Sequence, residues 1–239
     1  MAEWHAKPSG GYYYGNGEGL ENVHCINGFF NSQGYSLEVQ AGIITNIYHE
    51  SALNPWRWQY DIYDPSYGYG LFQFTPGSDY LNYCNDVMGF APNLSVSSVT
   101  PGAAPWDGYA QLIVLHEDKL SKWTPYCWRT YWNDEPNAEA LRQIRNDILS
   151  TYGSGGLLTY QQFLTIDRVD YALFAFLACY EGPLHPNYYT RLADANQIYA
   201  ILSGSEPPVP PGPEPPGPTP GRKKSKVMFY LKPYWKRGF

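Results

Sequence analysis

Apolar positions recur at a helical period through most of the chain. Across Leu37–Glu50 (LEVQAGIITNIYHE), Val39, Ile43 and Ile47 fall on one row with Ile44 and Tyr48 on the next, and Ser36 stands as N-cap. The pattern predicts a buried helix that ends at Glu50. A second helix is predicted over Leu20–Asn31 and is broken by Gly34. The same reading places helices at Tyr80–Met88, Gly108–Lys122, Ala138–Thr151, Thr159–Ile166, Val169–Tyr180 and Tyr188–Leu202. From Asn54 to Phe74, Pro, Gly, Asp and aromatics interrupt any period, which predicts irregular loop or a short β-hairpin. The fold class expected is mostly α (α+β), with a small β element and no internal repeat.

That patterning stops near Ser203. Residues 204–221 read GSEPPVPPGPEPPGPTPG, a composition that buries no apolar surface and predicts a disordered, extended Pro-rich linker. Residues 222–239 interleave Arg222, Lys223, Lys224, Lys226, Lys232, Lys236 and Arg237 with aromatic and aliphatic side chains. Such a tail suits an anionic surface or a partner particle, and equally a solvated tail. The expected organisation is a domain at 1–203, a linker at 204–221 and a basic aromatic tail at 222–239.

Composition narrows the classes. A net charge of -6 excludes a general nucleic-acid binder. Aromatics make up 17% of the chain, with 23 Tyr and 8 Trp, enough to line a surface that stacks on sugar rings or to fill a core. Cys25, Cys84, Cys127 and Cys179 show no C-x-x-C pair, so no zinc site is expected; they read as buried thiols, with one or two disulfides left open. No run of about 18 apolar residues is present, and Met1–His5 lacks a signal-peptide layout.

Glu50 sits where an apolar helix gives way to a loop, in NIYHESALNP. Partial burial at such a rim favours the protonated carboxyl, as a glycosidase acid requires. Farther on, Tyr67–Phe74 (YGYGLFQF) combines glycines that let backbone approach a ligand with Gln73, an amide able to bond a sugar substituent. A third string, Phe176–Pro183 (FLACYEGP), closes a helix with Tyr180 and a second carboxylate, Glu181.

Glu-Ser-x-x-Asn-Pro, then Gly-x-Gly-Leu-x-Gln, then a Tyr-x-Gly-Pro-like string is an order that resembles the lysozyme-like peptidoglycan hydrolases and soluble lytic transglycosylases. The fuller text from Ala41 through Gln59 looks most like the phage tail lysozymes. The resemblance spans roughly residues 20 to 200. It implies a two-lobed lysozyme-like domain that cleaves the glycan strand of peptidoglycan, as hydrolase or lytic transglycosylase, on a phage tail or released to act on the host wall. It implies Glu50 as catalytic acid, Gly70, Leu71 and Gln73 on the cleft floor, and Tyr180 and Glu181 beside the reacting sugar. Thr45 stands where many relatives have Gly, and Glu181-Gly182 replaces Asn-Ala-Gly, so hydrolysis and transglycosylation both stay open.

A two-carboxylate mechanism needs a second acid, for which Asp61, Asp64 and Glu181 are available. Asp61 is the first choice, because its loop is expected to form the opposite wall. Trp58, with Trp56, Arg57 and Tyr60, offers stacking faces, with packing onto the core as the equal alternative. His49 reads as a polar neighbour that orients Glu50 or simply faces solvent, and His116–Asp118 as a solvated helix end; neither has a second ligand, and no metal or cofactor is expected. Other phage tail proteins are further expected partners through 222–239. The competing classes are a noncatalytic wall-binding or structural tail module and a wall peptidase; adjacent His24 and Cys25 point apart on a helix and so lack the geometry of the latter.

Overall fold

The computed structural model describes residues 3–7, 10–89, 96, 103–118 and 122–205. These belong to a first compact unit, Met1–Pro208; the second, Val209–Phe239, lies outside the described residues, and with it nearly all of the expected linker and tail.

The described part is mostly helical. In chain order the helices are α1 Gly17–Ser32, α2 Leu37–Ser51, α3 Gly77–Tyr83, α4 Ala103–Asp118, α5 Ala138–Thr151, α6 Tyr160–Phe163, α7 Val169–Phe176 and α8 Tyr188–Ser203. Two of them, α3 and α7, run on into single π-helical turns at Cys84–Met88 and Leu177–Glu181.

At the centre is α2, packed against α7 and α8. Ser36 caps it by accepting from the Val39 N–H. Every residue from Val39 to Ile47 is buried, so the apolar rows are covered on all sides. The polar members of that run turn inward onto carbonyls: Gln40 Nε2 donates to Tyr35 O at 2.8 Å, Thr45 Oγ1 to Ala41 O at 2.7 Å and Asn46 Nδ2 to Gly42 O at 2.9 Å. This is how a β-branched polar Thr45 is accommodated without an unpaired hydroxyl.

Gly42 is where α2 and α7 meet backbone to backbone. A Cβ there would stand 2.7 Å from Leu173 N and 2.8 Å from Ala172 C. Gly42→Ala is therefore expected to destabilise by about 1–3 kcal/mol, because overpacking against main chain outweighs the gain in helix propensity. Urea unfolding tests it: the midpoint should fall at constant m-value, and an unchanged midpoint would show that the two helices part freely there.

Several sequence expectations change. Val169–Tyr180 is not one helix, because the π turn begins at Leu177, and Thr159–Ile166 contracts to α6 with a Thr159/Gln162 capping box. The β element reduces, among the described residues, to isolated bridges Trp58–Tyr69, Tyr69–Phe74 and Ser154–Leu157, since the aromatic loop folds on itself instead of forming strands. His116 is not merely solvated: its Nδ1 lies 3.0 Å from Tyr35 Oη, which meets Tyr160 Oη at 2.5 Å.

Cys25 and Cys84 are the buried thiols expected, whereas Cys127 and Cys179 form a disulfide. Fifty-two positions separate the two, so their spacing carried no local signal.

Candidate active site

Glu50 occupies the last turn of α2. Beyond it the chain leaves the helix through two left-handed residues, Ala52 (φ 49°) and Leu53 (φ 60°), with Ala52 N–H bonded to Tyr48 O. The side chain is 23% exposed, reachable by a ligand yet set against the core. A carboxylate at this end meets the negative pole of the helix dipole and calls for a cation.

That cation is Arg191, from the first turn of α8. Its guanidinium is almost wholly buried; Nη2 donates to Glu50 Oε1 at 3.0 Å and Nη1 to Asn46 Oδ1 at 2.9 Å. Nε has no hydrogen-bond partner.

Glu181 ends the π turn after α7. The extra residue in that turn lets Gly182 N–H close onto Leu177 O at 2.7 Å, and Gly182 then leaves in the left-handed region (φ 58°). Arg129 packs against Gly182 where a Cβ would strike its guanidinium, and its Nε donates to Ala178 O at 3.0 Å. Trp132 Nε1 holds Pro183 O at 2.8 Å, and Tyr131 Oη donates to Gly182 O. The disulfide at Cys179 secures the same turn from the other side.

So fixed, Glu181 keeps one carboxylate oxygen, Oε1, buried and without a partner. Burial pushes its carboxyl well above the ordinary carboxylate range, and the nearby Glu50 charge pushes the same way; Arg191, Lys122 and Arg129 pull against them. Its folded-state pKa exceeds its unfolded value near 4.5, so its stabilising contribution is complete below that pH and lost as pH rises toward the folded value. Glu181→Gln, which cannot ionise, should thus be more stable than the native chain at pH 8, with the difference vanishing near pH 4. Thermal unfolding at the two pH values checks this, and a pH-independent difference contradicts it.

His49 supports the other flank. Its Nε2 lies 2.8 Å from Asp194 Oδ2, whose Oδ1 accepts from Tyr14 Oη at 2.9 Å. Burial, then the Arg191 charge, holds the imidazole below its ordinary range in spite of Asp194. It ties the end of α2 to Asp194 on α8 rather than facing solvent, and makes its hydrogen bond there and not to Glu50.

The remaining expected site residues are distributed differently. Asp61 (φ 53°) accepts from Gly10 N–H at 3.2 Å and pairs at 3.8 Å with Arg57, so it ties the N-terminal segment to the loop. Half-buried Asp64 accepts from Ser66 N–H and Oγ–H, which hold its carboxyl below the ordinary range. Of the three carboxyls considered as second acid, Glu181 is the one that feels Glu50. Trp58 is 1% exposed and Trp56 fully buried, so both pack as core instead of presenting stacking faces. Trp58 rests edge-on to Tyr63, with Gly77 close against it.

Gly70 and Leu71 are buried beside Gln111, which accepts from Leu71 N–H and donates to Pro55 O, both at 2.5 Å. Gln73 spends its amide on Gly70 O (2.9 Å) and Arg57 O (3.2 Å). The Gly-Leu-Phe-Gln string thus builds the loop, and Phe72 brings it against Tyr180, with ring centroids 6.2 Å apart. Among the described residues no cluster of His, Cys, Asp or Glu is arranged to hold a metal ion.

Sequence reasoning missed Arg191. Its signal was there, since Tyr188, Arg191, Ala195 and Ile198 form one buried helical row in which a charge is out of place.

Residues 21–202, which include Glu50, Glu181 and Arg191, match the family described as phage tail lysozyme. The chain belongs to the phage tail lysozyme family. It is also similar to "Morphogenesis protein 1" of Bacillus phage B103, 25% identical over 185 residues that make up 77% of this chain. The chain spans 40% of the length of that relative. In this phage tail lysozyme domain the matched segment begins within α1 and closes within α8, enclosing all three charged groups of the site.

Proposed function

We propose that this phage lysozyme-like protein is a glycosidase that cleaves the glycan strand of peptidoglycan, as lysozyme or lytic transglycosylase, within a phage tail. The observation that carries the reading is the pairing of an ion-paired carboxyl, Glu50, with a second one, Glu181, whose Oε1 is buried and unpartnered, in the segment that matches a lysozyme family. Two carboxyls held in unlike environments divide the roles of proton donor and charged partner. Glu50, the accessible one, touches the leaving oxygen. The two-lobed cleft expected of such enzymes, with the Tyr180 rim as one border, belongs to this proposal. So does an association of the basic segment 222–239 with an anionic surface or with other phage tail proteins.

The test is digestion of purified peptidoglycan by the full chain, with released muropeptides read by mass spectrometry. Reducing-end products identify a hydrolase and anhydro products a lytic transglycosylase. The Glu50–Arg191 ion pair favours a second reading, a noncatalytic wall-binding or structural module in which the charges hold α2 to α8. Intact peptidoglycan bound without cleavage would select it.

A further inference from the structure

Two buried polar atoms at the site lack hydrogen-bond partners, and they are complementary: Arg191 Nε is a donor and Glu181 Oε1 an acceptor. Leaving both unmatched in the interior is costly. Arg191 is engaged with Glu50 by Nη2 alone and is electrostatically within reach of Glu181. One cation therefore faces two carboxyls and bonds only one of them.

We propose that Glu50 and Glu181 share a single proton and that Arg191 changes partner as it moves. At rest the proton is on Glu181 and the guanidinium on Glu50. For the acid step the proton passes from Glu181 to Glu50, and the carboxylate left behind on Glu181 is met by the free Arg191 Nε–H. Glu50 then gives the proton to the leaving glycosidic oxygen as its bond to the anomeric carbon breaks. The hydroxyl that attacks that carbon, from water or from the sugar, releases its own proton to the pair and restores the resting state.

Charge is conserved throughout, with one cation balancing one anion except for the moment after proton delivery. Lys122 and Arg129, the other cations felt by Glu181, lower the cost of that moment, and neutral His49 adds no competing charge beside Glu50. Glu181 is thus a positioning residue that keeps a proton on a carboxyl whose Oε1 is closed to solvent. The catalytic consequence rests on the glycosidase reading; the location of the proton does not.

Infrared spectroscopy of the full chain at neutral pH tests the proton directly, through the carbonyl stretch of a protonated carboxyl. Native protein should show a band that disappears in Glu181→Gln, where its holder is gone. It should also disappear in Glu50→Gln, where the Arg191 charge is no longer balanced at position 50 and its Nε–H, turned to Glu181, drives off the proton. A band that survives in Glu50→Gln means a proton trapped by burial alone, and absence of the band in native protein means no shared proton; either overturns the inference.

In parallel, Glu181→Gln should digest peptidoglycan about 100-fold more slowly at neutral pH, with the optimum moved to lower pH, where solvent supplies the proton to Glu50. A uniform loss with an unmoved pH profile would make Glu181 merely structural and overturn the inference. If native protein shows the band but leaves peptidoglycan intact, the glycosidase reading fails while the proton pair stands.

Discussion

Glu50→Gln is expected to cut release of muropeptides from purified peptidoglycan by about 10²–10⁴-fold, the usual contribution of a positioned general acid. The substitution preserves shape, and the amide oxygen can still accept from the cationic Arg191 Nη2, now as an uncharged acceptor. Stability should fall by less than when the cation is removed, since Arg191 keeps an uncharged acceptor at this position and a carboxylate is taken from the C-terminal end of α2. Activity and fold are thereby separated. At temperatures below its thermal midpoint the variant's circular dichroism should match the native chain while digestion all but ceases. A variant that folds and digests at the native rate would remove Glu50 from the chemistry and favour the noncatalytic module.

The elements that carry the site were readable where periodicity was strong. The boundaries of α5 fall on the expected residues, α8 differs by one at its C-terminus, and α2 ends one residue beyond Glu50. What the period does not encode is a change of hydrogen-bond register. The π turn at Leu177–Glu181 reads as continued helix, yet its extra residue changes where Glu181 leaves the helix, and there the carboxyl feels the Glu50 charge. Aromatic content was ambiguous for a related reason: Trp58 sits in a loop, where burial depends on Gly77 and Tyr63 arriving from elsewhere. Asp61 was placed by loop logic alone, and the loop turned that side chain to Gly10 and Arg57. Motif order located Glu50 and Glu181; only three-dimensional proximity joins them to Arg191.

Because Arg191 serves one carboxylate while facing another, its removal should have the largest effect on stability. Arg191→Met keeps most of the apolar stem but leaves Glu50 without its cation and Asn46 Oδ1 without its donor. Breaking a largely buried pair from one side costs about 3–5 kcal/mol, and the partial exposure of Glu50 places this case near the lower end. Removing the remaining charge should return much of that loss, since a buried pair replaced on both sides is far better tolerated than one half-broken. The double variant Glu50→Gln/Arg191→Met is thus expected to unfold at a higher denaturant concentration than Arg191→Met alone, the signature of a coupling energy between contacting residues. Strictly additive effects would mean that Arg191 stabilises α8 through Asn46 and packing, with the ion pair contributing nothing. Non-additivity would place the charge balance between Glu50 and Arg191 among the forces that hold α2 to α8. The fold would then be most sensitive at the group whose exchange between two carboxyls the chemistry requires.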